Sequence, residues 1–130
     1  MKRLKLVVDT DVFIDHLRGY EPAKGYMRQF EDGQLYGMIS TVTILELYAG
    51  KRMSNPDEVD KVEQLISIFE EVSVDAEIGR KAGEFIRKYG GAIPDAIIAA
   101  TAMVNEAIVI TRNIKHYANI SEADIEKPYD

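Results

Sequence analysis

A short apolar run near the start of the chain constrains the fold more than any other feature. Residues 4–8 form a nearly continuous stretch rich in β-branched side chains, and the polar cluster Asp9-Thr10-Asp11 follows at once. Such a run is typical of a strand buried on both faces of a parallel sheet. Asp9 then falls at the carboxyl end of the strand, where open α/β sheets place ligands and catalytic groups. A plainer interpretation is that this cluster only caps the next helix, with Thr10 or Asp11 available as the cap.

Strand-like and helical segments alternate along the rest of the chain. Strands are predicted at 4–8, Tyr36–Ser40, 72–74, 108–111 and, weakly, around Ile125. Amphipathic or apolar periodicity and capping signals predict helices at 12–17, 22–30, 42–49, 55–69, 76–89 and 94–104. This alternation indicates an α/β protein, with three α/β/α layers around a central, mainly parallel sheet. The 130 residues contain no linker or repeat, so we expect a single domain over 1–130.

Composition excludes several classes of protein. The chain has no cysteine and no apolar run of about 18 residues, so disulfides, thiolate zinc sites and a membrane span are not expected. A cytoplasmic protein is the resulting expectation. The formal net charge of −6 argues against a module that binds nucleic acid through phosphate contacts alone. It remains compatible with a nuclease whose bound divalent cations supply positive charge locally.

Three further polar residues fall where they can meet Asp9. Glu46 lies one turn inside an apolar helix, Asp95 lies in the first turn of the most apolar helix, and Asn113 follows a buried strand. Each also has a plainer explanation. Positions 43, 46 and 50 could share a solvent-facing stripe, Asp95 could complement the helix dipole, and Asn113 could form a turn. In a parallel sheet, however, all four positions can lie at the same edge.

A cluster of carboxylates at one edge has a chemical consequence. The side chains repel one another and remain partly protonated unless a divalent cation neutralises them. Oxygen ligands without cysteine and with few histidines favour Mg²⁺ or Mn²⁺ over zinc. An open site of this kind suits metal-assisted hydrolysis of phosphodiesters.

The chain resembles the PIN domain family, and specifically the VapC-type toxin ribonucleases. The resemblance spans nearly the whole chain and is carried by residues 8–19, 39–50, 94–100 and 109–117. It implies that Asp9, Glu46 and Asp95 are the principal acidic metal-site residues. The fourth position of the family, often Asp, falls on Asn113, which brings no charge and so leaves the binding of a second metal open. It also implies an RNA substrate, an antitoxin protein as partner and a homodimer.

Supporting roles are expected for several neighbours of these residues. Thr10 and Thr111 could orient water or carboxylates, as the resemblance implies, and Ser40 could do the same, although capping a helix also explains it. Arg112 and Lys115 flank the site as candidate contacts to RNA phosphate, although surface solvation explains them equally well.

Other polar residues near the motifs receive plainer interpretations. Asp11 is expected to cap the first helix rather than to bind metal. Asp15 is expected to be a solvated surface residue, and His116 to have a structural role in a turn.

Two other functions fit parts of the pattern. A degenerate PIN domain could bind RNA or a partner without cleaving. A phosphatase of the haloacid-dehalogenase type also begins with a strand and Asp-x-Asp, which would make Asp9 a nucleophile and Asp11 a general acid. The chain lacks room for the cap domain of such a phosphatase, and Phe13 stands where its motif has Thr or Val. A set of apolar residues on the first helices is either docking surface or core: Phe13, Leu17, Tyr26, Met27 and Phe30.

Overall fold

The computed structural model describes residues 4–130 and contains one parallel sheet at its centre. Its five strands are β1 (Lys5–Val8), β2 (Tyr36–Ser40), β3 (Glu70–Val72), β4 (Ile108–Ile110) and β5 (Ile125–Glu126). They lie in the order β3-β2-β1-β4-β5, and every pairing is parallel. The first predicted strand, β1, is therefore the central one, with β2 and β4 on its two sides. Parallel pairing brings the carboxyl ends of these strands to one edge.

Helices connect the strands and cover both faces of the sheet. They are α1 (Thr10–Leu17), α2 (Glu21–Glu31), α3 (Thr41–Tyr48), α4 (Pro56–Ile66), α5 (Ala76–Tyr89) and α6 (Ile93–Val104), with 3₁₀ turns at Lys51–Ser54 and Ile114–His116. Within residues 4–130, none of the helices has the length and apolar character needed to cross a membrane.

Alternation of side chains along β1 divides the core into two parts. Val7 belongs to a buried cluster with residues of α5 and α6, whereas Leu6 and Val8 belong to a second cluster with residues of α1, α2 and α4. Successive strand residues point to opposite faces, so each face of the sheet needs its own apolar cover. This arrangement confirms the predicted three-layer α/β/α fold.

The edge strand β3 and the helix before it lie two to three residues from their predicted places. The predicted helix extended to Phe69 and the predicted strand covered 72–74, but α4 ends at Ile66 and β3 covers Glu70–Val72. Phe69 is buried in the turn between them. Its side chain therefore joins the apolar stripe of α4 although its backbone is not helical. Among the described strands, β3 lies at the sheet edge and pairs only with β2, which suits its polar sequence.

The apolar residues on the first helices belong mainly to the core. Phe13, Met27 and Phe30 are between 0% and 5% exposed and cannot form a docking surface in this state. Leu17 and Tyr26 pack against the same cluster and are partly exposed. The core interpretation is therefore correct for Phe13, Met27 and Phe30, the three buried members of this set.

Gly37 provides a test of the packing on β2. A Cβ atom at this position would lie 2.5 Å from Phe69 Cδ1 and 2.8 Å from Phe30 Cδ1, and the two rings already pack against each other. We expect Gly37→Ala to lower the free energy of unfolding by about 1–3 kcal/mol, measured by urea denaturation, because the rings must move. Gly83→Ala is the control, since Gly83 is exposed on α5 with open space around it. Equal urea midpoints for Gly37→Ala and wild type would contradict this packing.

Candidate active site

Asp9 ends the central strand and also caps the helix that follows. Its backbone N–H donates to Ile110 O at 2.8 Å, as in a continued ladder, while Asp9 Oδ1 accepts from Thr10 N at 2.8 Å. Asp9 as a residue is 7% exposed. The expectation that Asp11 caps α1 is therefore wrong. The backbone of Asp9 remains extended and the helix begins directly at Thr10, so only Asp9 occupies the cap position.

Two hydroxyl groups from the far end of the chain hold the other oxygen of Asp9. Thr111 Oγ1 donates to Asp9 Oδ2 at 2.8 Å, and the Tyr117 hydroxyl donates to the same atom at 2.9 Å. Both side chains are fully buried. Burial raises the pKa of Tyr117, and the charges of Asp9 and Asp95 add to the increase, so the phenol remains a donor.

Sequence reasoning predicted a supporting position for Thr111 but gave Tyr117 no role. The available signal was an aromatic side chain with a polar end, a few residues past a buried strand. A phenol in such a position becomes fully buried only when its hydroxyl finds a partner.

Glu46 faces inward from α3 and is held by a threonine of α1. Thr10 Oγ1 donates to Glu46 Oε1 at 2.7 Å and lies 3.0 Å from Thr43 Oγ1. Thr43 is fully buried, so the solvent-facing stripe through positions 43, 46 and 50 does not exist. Thr43 was not predicted to contribute to the site. Its spacing of three residues before Glu46 was the available signal, because such residues share a helix face.

Asp95 reaches the same edge of the sheet from the first turn of α6. Burial raises the pKa of this carboxyl above its ordinary value, and the charge of Asp9 raises it further. Glu46 adds to the increase, and His116 opposes it. These effects place Asp9 and Glu46 within electrostatic reach of Asp95. The Nδ1 atom of His116 lies 3.5 Å from Asp95 Oδ2, so this exposed histidine in a 3₁₀ turn contacts the acidic cluster directly.

Asp11 and Asn113 form the other side of the cluster. Asp11 Oδ2 accepts from Arg112 N and from Asn113 Nδ2, both at 3.0 Å. Asp11 Oδ1 is buried, and no residue of the described chain donates a hydrogen bond to it. Burial, with the charge of Asp9 second, raises the pKa of Asp11 to about 6. Asn113 therefore acts as a donor to a carboxylate, a role that an ionised Asp at this position could not fill.

The remaining predicted residues make contacts of different kinds. Ser40 is fully buried and caps α3 by accepting from Val42 N at 3.1 Å. Lys115 is exposed and lines a cavity beside Asp95 and His116.

The Arg112 side chain forms an ion pair with Asp15, with Arg112 Nε 2.7 Å from Asp15 Oδ2. The expectation that Asp15 is a solvated residue is wrong, because it is 9% exposed and is held by this partner.

The acidic side chains of the site can be compared with the ligands that a metal ion requires. Among residues 4–130, no three acidic or histidine side chains lie close enough together to hold one ion in this arrangement. The chemistry of the residues nevertheless fits a hard divalent cation, since carboxylate oxygens predominate. The buried Asp11 Oδ1 without a donor, and the mutual charge effects among the acids, are what a cation would relieve.

Comparisons with known proteins give a consistent result. Residues 6–122 match the PIN domain family. Ribonuclease VapC10 of Mycobacterium tuberculosis is 34% identical over 118 residues, which cover 86% of this chain and 85% of the relative. A DNA-bound VapBC structure from Salmonella typhimurium superposes with a TM-score of 0.81 at 26% identity, over 96% of this chain and 98% of that one. A toxin–antitoxin complex from Klebsiella pneumoniae gives 0.79 at 27% identity, with the same coverage.

Removal of the Tyr117 hydroxyl tests the hydrogen bonds to Asp9. We expect Tyr117→Phe to lower the free energy of unfolding by about 1.5–3 kcal/mol, because a buried carboxylate loses a donor. Urea denaturation measures the effect. Tyr89→Phe is the matched control, since the Tyr89 hydroxyl bonds Glu122 at an exposed position and its loss is expected to cost below about 0.5 kcal/mol. Equal effects of the two variants would show that the Tyr117 hydroxyl does not stabilise Asp9.

The raised pKa of Asp11 predicts a pH dependence of stability in metal-free protein. A carboxyl whose pKa is higher in the folded than in the unfolded state stabilises the fold at low pH. For Asp11 this contribution is lost as the pH rises from its ordinary pKa of 3.8 to about 6. We expect Asp11→Asn to reduce the fall in unfolding free energy across this range, measured by urea denaturation in chelator. The exposed Asp60→Asn on α4 is the charge-matched control, and a wild-type pH profile for Asp11→Asn would contradict the prediction.

Proposed function

Because the chain belongs to the PIN domain family, we propose that it is an endoribonuclease that hydrolyses RNA phosphodiester bonds as the toxin of a toxin–antitoxin pair. The observation that carries the proposal is the convergence of Asp9, Glu46 and Asp95 at the carboxyl edge of one parallel sheet. The names of the relatives, a ribonuclease VapC10 and a toxin–antitoxin complex, support the reaction and the biological context.

We propose that the activity depends on Mg²⁺ or Mn²⁺, and that Asp9, Glu46 and Asp95 move closer together to hold it, since no three such side chains of residues 4–130 lie within reach of one ion in the structure. When bound, such a cation polarises the scissile phosphate and makes water a better nucleophile. Asp11 supplies the negative charge that Asn113 lacks. The buried Oδ1 of Asp11 accepts no hydrogen bond from residues 4–130 and is therefore available to a cation on that side of the cluster. A neutral residue at position 113 is therefore compatible with the proposed chemistry.

The neighbouring side chains give the acids fixed directions. Thr111 and Tyr117 donate to one oxygen of Asp9, and Thr10 donates to one oxygen of Glu46. Each of these two carboxylates is thereby held on one side and keeps lone pairs with which it can bind a cation. The imidazole of His116 lies beside Asp95 and opposes the increase in the pKa of that carboxyl.

Binding of RNA requires cations near an acidic cluster in an acidic protein. Arg112 and Lys115 flank the cluster on exposed positions, and we propose that both contact RNA phosphates. Phosphate contacts of this kind supply affinity without reading sequence.

The proposal also includes protein partners. We propose that a small antitoxin protein silences the nuclease and that the chain forms a homodimer in the cytoplasm. A groove of about 280 Å³ between α1 and α4 extends to Glu46, with Ile14, Leu47 and Val62 in its walls. A segment of the antitoxin bound there would cover one side of the acidic cluster.

Cleavage of RNA by purified protein tests the proposed function. We expect wild type to cleave total RNA in Mn²⁺ or Mg²⁺ and to lose activity in chelator. Asp95→Asn should reduce the rate by about 100-fold or more, because it removes one negative ligand from a metal-assisted reaction. Gel analysis of the RNA gives the rate, and circular dichroism reports whether the variant is folded.

Asp60→Asn is the control, since it makes the same substitution at an exposed position on α4. Absence of cleavage with either metal, together with no metal binding by calorimetry, would overturn the nuclease proposal in favour of a PIN domain that binds without cleaving.

A further inference from the structure

Arg112 is anchored by a carboxylate on the first helix and, through it, by the end of the chain. Arg112 Nε lies 2.7 Å from Asp15 Oδ2, and the Tyr129 hydroxyl donates to the same oxygen at 2.6 Å. The Tyr129 ring also packs edge-on against Tyr20 and Tyr26, with centroids 5.6 and 6.3 Å apart. The position of the guanidinium thus depends on α1 and on the segment after β5.

The anchoring leaves the guanidinium able to bind a second acceptor. A guanidinium carries five N–H donors in a planar fork, and the contact with Asp15 is made through Nε. The Arg112 side chain is 47% exposed, whereas that of Asp15 is 12% exposed. The buried acid therefore holds one side of the fork, and the outer donors can reach two oxygens of a phosphate.

The backbone fixes this guanidinium at the acidic cluster. Arg112 N donates to Asp11 Oδ2 at 3.0 Å, and the preceding residue, Thr111, donates to Asp9. The charge of Arg112 acts on Asp11 and opposes the increase in its pKa. An RNA phosphate that approaches the cluster is repelled by these acids. A fixed cation beside them lowers the electrostatic free energy of its approach.

We propose that Asp15 and Tyr129 are positioning residues that hold Arg112 as the binding site for an RNA phosphate next to the scissile bond. The inference rests on the proposed function and names the chemistry of one of its subsites. Burial and the hydrogen bond to Asp15 keep the pKa of Tyr129 above its ordinary value, so its hydroxyl remains a donor in any assay near neutral pH. The alternative is that Arg112 only neutralises the buried Asp15 and never meets RNA.

Kinetics of four proteins separate the two roles. We compare the wild type with Arg112→Ala, Tyr129→Phe and the double variant on a fluorescent single-stranded RNA that wild type cleaves in Mn²⁺. We expect Arg112→Ala to raise KM about 10-fold with kcat within about 2-fold, because a phosphate contact is lost. Tyr129→Phe should raise KM about 3-fold. The double variant should resemble Arg112→Ala alone, because Tyr129 acts through Arg112.

A second readout follows binding rather than cleavage. In the Asp95→Asn background, the slope of log Kd for the same RNA against log salt should fall by about 0.7 when Arg112 becomes Ala, as for one lost phosphate contact on a single strand. Arg112→Lys should recover part of the affinity, since it keeps the charge but not the fork. Lys81→Ala is the matched control, because it removes an ion-paired cation of α5, 3.3 Å from Glu84, and should leave KM and the slope unchanged.

Each outcome decides between the alternatives. Wild-type KM and an unchanged salt slope in Arg112→Ala, with RNA cleavage intact, would overturn this inference and leave the nuclease proposal standing. Effects of Tyr129→Phe and Arg112→Ala that multiply to about 30-fold would also overturn the positioning role. Absence of cleavage by wild type would overturn the proposed function and this inference with it. Should urea denaturation show Tyr129→Phe to be unstable, Asp15→Asn takes its place in the cycle with the same expected masking by Arg112→Ala.

Discussion

The buried carboxylate of Asp9 is the constraint on which the rest of the site depends. The carboxylate of a residue that is only 7% exposed must be compensated, and three donors do so: the N–H of Thr10 and the hydroxyls of Thr111 and Tyr117. These donors fix the positions of α1, the end of β4 and the turn after β4 relative to the Asp9 carboxylate. Burial raises the pKa values of Asp11 and Asp95, and the charge of this same carboxylate raises them further. The residue that organises the edge of the sheet thus also adds to the charge repulsion there.

Much of the fold and the outline of the site follow from local sequence signals. The central strand, the edge that gathers Asp9, Glu46, Asp95 and Asn113, and the three layers were all predicted, because a buried parallel strand and a helix cap are encoded by adjacent residues. The match to the PIN domain family over residues 6–122 confirms the predicted resemblance and excludes the phosphatase alternative. The roles of the individual site residues remain predictions.

The features that sequence reasoning missed depend on residues far apart in the chain. Asp11 was interpreted as a cap because its partners, Arg112 N and Asn113 Nδ2, lie about a hundred positions away. Asp15 was interpreted as solvated because Tyr129, whose hydroxyl donates to it, follows 114 residues later. The start of β3 was misplaced because pairing with β2 fixes an edge strand whose own pattern is weak. Local periodicity cannot report such pairings.

The long separation of these contacts has a consequence for synthesis. Asp9 is made early, but the donors from Thr111 and Tyr117 are 102 and 108 residues downstream, and the anchor on Asp15 comes from Tyr129. A chain grows from its N-terminus, and contacts between distant segments form late in folding. The acidic cluster therefore cannot be completed while the last strands are still unmade. An incomplete chain on a ribosome cannot assemble this site, because the segments that complete it have not yet been made. At that stage no partner is needed to restrain the site.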